Sequence, residues 1–346
     1  VNNATGHSGT HGCVPRTDPS LCPHKDPANY YQSIAVFDCA VLDNIQGDWQ
    51  TVAMRIGEFE FVEPIPDLKD PHVIAVLRPW IDVGSVGTLT LNRLERHLRA
   101  KELGRMAQPG LFYDFTRYRP RSLFNEGRRE VTVPNTIIRY AAQDDGRDLL
   151  FLHLLEPHLY GEDFTNTMLD VLKFLGVKRY LLIGSMYDMV PHTRPLLVSG
   201  LGSGGNVEEE SQQARVQASN YEGPTTITYL ITQEAIQLGI ETRTFVVHLP
   251  QYFQVDEDLN GTARLMEILC SLYDLPDRLI EPNLGKEQYE KLQGMVDDAS
   301  GVASLLGRLE ERYDKDQQED GPEPPPLSSN IEEFLKDLDE GFSPPK

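Results

Sequence analysis

Between residues 33 and 275, runs of consecutive apolar residues alternate with stretches whose apolar positions recur every three or four residues. The first pattern belongs to strands buried on both faces, the second to helices with one buried side. Residues 33–37 and 58–62 read as short strands, and 72–77 as a strand of unbroken apolar character. Val83, Val86, Leu91, Leu94 and Leu98 then share one helix face. The clearest unit follows: a strand over 149–155, a helix with Phe164, Met168, Val171, Leu172 and Leu175 on one side, and a returning strand over 179–183. Asp163 is expected to cap that helix, because a carboxylate accepts the free amide protons of a first turn. Gly176 stands where a helix end favours a left-handed residue. This strand–helix–strand unit takes a right-handed crossover.

The pattern then repeats. A helix carrying Ile227, Leu230, Ile231 and Ile236 stops at Gly239, a strand covers 242–248, and another helix carries Ala263, Met266, Leu269 and Leu272. Such alternation predicts an α/β fold, a three-layer α/β/α sandwich around a mostly parallel sheet, over residues 31–284. Residues 1–30 have no periodicity and are expected to form a flexible leader. Over 285–315, Leu292, Val296, Ala299, Val302, Leu306 and Leu309 step close to a heptad, which suits a helical extension laid on its own core or on a second subunit. Residues 316–328 are an acidic, proline-rich linker of extended character. In 329–346, Ser329 and Glu332 make a capping box, and Ile331, Phe334, Leu335 and Leu338 form one apolar side of a short helix. A helix so short is marginal alone, so those four residues are candidates for docking on this protein or on a partner.

Charge narrows the partners. The 346 residues carry 32 basic and 53 acidic side chains, a formal charge of −21. A surface this acidic repels phosphate backbones and anionic lipid, so neither nucleic acid nor membrane is expected as a partner. The four cysteines are too few to staple a chain of this length, and no stretch has the roughly 18 apolar residues of a membrane helix or the apolar core of a signal peptide. A cytoplasmic location is the expectation. Cys13 and Cys22 with His7, His11 and His24 match no compact zinc spacing, so no metal is expected.

Open parallel sheets hold ligands beyond the carboxyl ends of their strands. That rule selects Asp82 after 72–77, Glu156 after 149–155, and Ser185, Tyr187 and Asp188 after 179–183. It also selects His192 and Arg194 in the next loop, Gln251 and Tyr252 after 242–248, and Glu222 in the turn Tyr221-Glu222-Gly223-Pro224. Asp82, Glu156, Ser185, His192, Arg194, Glu222 and Tyr252 are therefore a candidate pocket or structural cluster. Each has a plainer role open to it: Asp82 as a helix cap, Glu156 as a loop anchor, Arg194 as the ion-pair partner of Glu156 or Glu222. Ser185 sits in Ile183-Gly184-Ser185-Met186-Tyr187, which lacks the G-x-S-x-G of a nucleophile elbow. Gly200-Leu201-Gly202-Ser203-Gly204-Gly205 fits G-x-G-x-x-G by letter. Glu208, Glu209 and Glu210 after it would repel a pyrophosphate, so a flexible loop is the reading and no cofactor is expected.

Several stretches together resemble the proteasome assembly chaperone 2 family in its bacterial form. They are Arg78-Pro79-Trp80-Ile81-Asp82 with Gly84 and Gly87; Tyr113-Asp114 with Arg117, Arg119 and Pro120; and Leu154-Leu155-Glu156-Pro157 followed by Phe164. Leu175-Gly176-Val177, Val190-Pro191-His192-Thr193-Arg194-Pro195, Tyr221-Glu222-Gly223-Pro224-Thr225 and His248-Leu249-Pro250-Gln251-Tyr252 complete the set. The resemblance implies a sandwich like that of the phosphorylase/hydrolase group, homo-oligomers (a trimer is the expectation), and a protein-binding role of assembly-chaperone type, with a proteasome-related partner. It supplies no catalytic set. Archaeal and eukaryotic chaperones of this group dock through a hydrophobic–tyrosine–any tail, whereas this sequence ends Phe342-Ser343-Pro344-Pro345-Lys346. The competing reading is an enzyme or small-ligand binder, hydrolase- or phosphorylase-like or linked to amide-ligase chemistry, using the strand-end pocket.

Overall fold

A ten-stranded sheet runs through the structure, a computed structural model that describes residues 54–316 apart from 126, 144–145, 220 and 298–299. The strand over 33–37, the leader, the linker and the helix bearing Ile331, Phe334, Leu335 and Leu338 lie outside the described residues. The chain opens with β1 (Arg55–Ile56), β2 (Phe59–Phe61), β3 (His72–Arg78), α1 (Val86–Leu98) and β4 (Lys101–Met106). Next come β5 (Arg121–Asn125), β6 (Arg128–Thr132), β7 (Ile137–Ala141), β8 (Leu149–Leu155) and α2 (Gly161–Phe174). Then follow β9 (Arg179–Asp188), β10 (Val198–Ser203), α3 (Val207–Ala214), β11 (Val216–Ala218), α4 (Ile227–Gln237) and β12 (Glu241–Pro250). The described part ends with α5 (Leu259–Tyr273), α6 (Pro282–Asp297) and α7 (Ser300–Asp316).

The strand order is β1-β2-β4-β7-β8-β3-β9-β12-β10-β11. Its centre, β8-β3-β9-β12, is parallel. These four strands are the apolar runs of the sequence, as burial on both faces demands. β1, β2, β4 and β7 extend one side antiparallel, and on the other side β10 runs antiparallel to β12 and parallel to β11.

Residue parity divides the core in two. Ala75, Leu77, Leu152, Leu154, Tyr180 and Leu182 face α2 and α4, with Phe164, Met168, Ile227 and Ile231 packed on them. Ile74, Val76, Phe151, Leu181, Ile183, Phe245 and Val247 face α1 and α5, with Leu91, Leu94, Met266 and Leu269 packed on them. The result is a sandwich of helix, sheet and helix. No helix among the described residues is long and apolar enough to cross a membrane.

Four sequence expectations change in detail. α2 starts at Gly161 after a left-handed Tyr160, so Asp163 lies inside the first turn with Glu162, where it complements the helix dipole without capping. Leu230 is exposed on α4. The segment 285–315 belongs to two helices, of which α6 packs on α5 through Tyr289. The Asp258 carboxylate joins the two: it caps α5 by accepting from the Gly261 amide at 2.7 Å, and it accepts from the Tyr289 hydroxyl at 2.9 Å. Lastly, the glycine run is no loop. Val198–Ser203 pairs with β12 along its whole length, and the turn comes only at Gly204 and Gly205, both at positive φ. Glu210 of α3 then accepts from the buried Arg243 at 2.6 Å and pairs with Arg179 at 3.0 Å.

One piece stands apart. β5 and β6 form a separate two-stranded ribbon in which Leu123, Phe124 and Val131 are exposed.

Candidate functional site

The seven selected residues do not meet in one pocket. Three of them hold up the helix layers. Asp82 follows β3, and its carboxylate accepts from the Thr88 amide at 3.1 Å and the Thr88 hydroxyl at 2.5 Å in the first turn of α1. Burial raises its pKa. Glu156 follows β8 and accepts from the Ile227 amide at 3.1 Å, the first residue of α4. Its other carboxylate oxygen is buried without a hydrogen-bond partner among the described residues, and burial raises its pKa too. Ser185 is fully buried in β9; its hydroxyl donates to the Val83 carbonyl at 2.6 Å and its amide to Ile81. Gly184 permits that approach, because a Cβ there would lie 2.2 Å from the Ile81 oxygen.

Three others sit where the β9–β10 loop meets α6 and α7. The His192 amide donates to the Tyr252 hydroxyl at 2.7 Å, that hydroxyl lies 2.6 Å from His192 Nδ1, and His192 Nε2 bonds Gln293. Phe253 and Tyr289 pack edge-on against the imidazole. Burial pushes the Tyr252 phenol up to about 12. Arg194 pairs with Asp314 at 2.7 Å and with Glu310 at 3.4 Å, not with Glu156 or Glu222. Its loop ends on the α6–α7 side of the sheet, whereas Glu156 serves α4 on the other. Glu222 is exposed in the loop before α4.

A concavity lies elsewhere, on the α4 side of β9, β12 and β10. It encloses about 580 Å³. Leu182, Met186, Thr242, Thr244 and Val246 make its floor, and Thr228, Thr232 and Ile236 of α4 make its roof. Short threonine side chains with Gly202 leave the space between helix and sheet unfilled. Trp80, Leu201, Tyr221 and Tyr229 stand at its mouth, each substantially exposed, Trp80 at 65%. Among the described residues, no Asp, Glu, Lys, Arg or His lines it. None of the seven selected residues is part of its wall.

A polar chain crosses three adjacent strands at the cleft. Ser199 on β10 lines the cavity. Its Oγ is 2.8 Å from His248 Nε2, and His248 Nδ1 is 2.7 Å from Asp188 Oδ2. The other Asp188 oxygen accepts from the Met189 amide at 2.6 Å. The hydrogen bond from His248 holds the Asp188 carboxyl below its ordinary pKa. With Asp188 ionised and able only to accept, the His248 proton belongs on Nδ1 and Nε2 accepts from Ser199. Sequence reasoning reached Asp188 as a strand-end acid and His248 as part of a resemblance, but not Ser199. The usable signal is parity: Thr242, Thr244, Val246 and His248 share a face, and a polar residue ends that row.

A family model described as the PAC2 family matches residues 76–299. A protein of unknown function from Corynebacterium glutamicum ATCC 13032 is 20% identical, with 76% of this chain and 99% of that chain covered at a TM-score of 0.66. A PAC2 family protein from Streptomyces avermitilis MA is 24% identical, with 68% and 100% covered at 0.60. A proteasome-assembly chaperone homologue from Mycobacterium tuberculosis is 22% identical, with 68% and 99% covered at 0.60. These structures share the fold of this chain. No curated protein matches it.

Proposed function

Because the chain belongs to the PAC2 family, we propose that it is a protein-binding scaffold of assembly-chaperone type that grips its partner through the mouth of the apolar cleft. The observation that carries this reading is the row Trp80, Leu201, Tyr221 and Tyr229, large side chains left in water around an uncharged hollow. Soluble chains rarely leave such a contiguous patch uncovered without a partner for it, and aromatic anchors dominate interface energetics. The description of the Mycobacterium tuberculosis protein as a proteasome-assembly chaperone homologue supports a proteasome-related partner. Homo-oligomerisation, with a trimer as the state, a cytoplasmic location and a contribution from Ile331, Phe334, Leu335 and Leu338 complete the proposal.

The test places a photo-cross-linking residue at Leu201 in the full chain and identifies the captured protein by mass spectrometry. Its affinity is then measured directly. Trp80→Ala is expected to weaken that binding about 30-fold, the equivalent of roughly 2 kcal/mol for an aromatic anchor. A partner that binds wild type and Trp80→Ala alike sinks the reading. Light scattering reads the oligomeric state in the same preparations.

A further inference from the structure

We infer that Ser199, His248 and Asp188 form an acyl-transfer site that hydrolyses neutral esters whose apolar acyl group fills the cleft. The three side chains carry the roles of nucleophile, base and orienter at hydrogen-bond distances of 2.8 and 2.7 Å. They come from β10, β12 and β9, neighbours in the sheet, and all lie on its α4 side. His248 and Asp188 stand at the carboxyl ends of parallel strands, where open α/β sheets hold their ligands. Gly200 lets β10 close on β12, since a Cβ there would lie 2.2 Å from the Thr244 oxygen. A purely structural hydroxyl–imidazole–carboxylate tie would have no need of a cavity, yet Ser199 opens onto one of about 580 Å³. That hollow, with no charged side chain among the described residues of its wall, selects a neutral apolar group. The inference is independent of partner binding at the mouth.

The chemistry balances with water as the only co-reactant. Ser199 Oγ bonds to the ester carbonyl carbon while its proton moves to His248 Nε2. The ester C–O bond breaks and the alcohol leaves with that proton. Water then attacks the acyl-serine carbonyl, gives its proton to Nε2, and Ser199 regains it as the carboxylic acid departs. Asp188 touches no reacting atom; it is a positioning residue that holds the imidazole tautomer and its cationic form.

The probe is an alkyl fluorophosphonate, which bonds phosphorus to an activated serine oxygen and expels fluoride. The full-length protein is expected to label at Ser199, located by mass spectrometry, and to hydrolyse p-nitrophenyl butyrate. Ser199→Ala should abolish labelling, and His248→Gln should slow both reactions by about 100-fold or more, the low end of general-base contributions. Asp188→Asn should change the pH at which labelling sets in, which a role confined to holding strands together would not do. Because His248 bridges strands and its replacement removes both cross-strand bonds, Ser199→Cys supplies a second reading. Its thiol should react with iodoacetamide at neutral pH much faster than Cys270, whose thiol burial pushes up to about 11. Absence of labelling in the wild type, labelling that survives Ser199→Ala, or a Ser199→Cys thiol no faster than Cys270 overturns the inference.

Discussion

His72 opens β3 with its ring edge-on to Tyr273 at 5.8 Å and its Nδ1 buried without a hydrogen-bond partner among the described residues. Burial first, and the Arg179 cation second, lower its pKa from 6.5 to about 4. As pH falls through that window the unfolded chain takes up a proton that the folded chain refuses. Stability from this residue is therefore complete above pH 6.5 and lost progressively down to about 4. His72→Phe keeps the contact with Tyr273 and removes the titration. Its unfolding free energy should fall less steeply than that of wild type between those limits, by at most about 1 kcal/mol per pH unit. Thermal unfolding of both proteins across the range checks it. At this scale the sequence was half legible. Asp82 and Glu156 could be placed at strand ends because each follows an apolar run, but the strand-end rule offered them as pocket residues, whereas both accept from amides at helix starts. Arg194 could not be assigned its partner, because Asp314 lies 120 positions away and reaches it only through the course of α7. Ser199 was hidden for the same reason: its neighbours are set by strand order, which local pattern does not encode.

The pairing of elements shows where local preference was overruled. β10 holds two glycines and two serines in six residues and has weak strand propensity, yet β12 imposes a full ladder on it. β4 and β7 mix charged and apolar residues and were likewise missed, whereas β3, β8 and β12 announce themselves by composition. The join between β10 and α3 rests on charge. Arg243, enclosed at 1% side-chain exposure, donates to Glu210 of α3 and to the Ser203 and Thr242 carbonyls. Glu210→Gln keeps the volume and leaves that cation without its counter-charge. Removing one partner of a buried pair costs roughly 3–5 kcal/mol, so the urea midpoint should drop accordingly with an unchanged slope. A variant within about 0.5 kcal/mol of wild type would show that the ion pair does not hold α3 to the sheet.

Taken whole, the molecule is strongly acidic, at −21. Self-repulsion of that size opposes the compact state and is weakened by counter-ions. Raising sodium chloride from about 10 mM to about 150 mM shortens the screening length from roughly 30 Å to roughly 8 Å. The melting temperature should rise by about 2–4 °C, the shift that roughly 1 kcal/mol produces in a domain of this order of size. A melting temperature that falls with salt would mean that attractive pairs such as Arg179 with Glu241 outweigh the net charge. The layer plan was the most legible level, since the parallel centre rests on unbroken apolar runs. The ribbon β5–β6 was the least legible, because no core contact writes itself into its residues. Its exposure carries a consequence for the covalent chain. Arg128 and Arg129 offer trypsin an accessible bond in the ribbon, while β4 stays zipped to β7 across the nick. Two fragments therefore stay together as one folded body after cleavage at that bond.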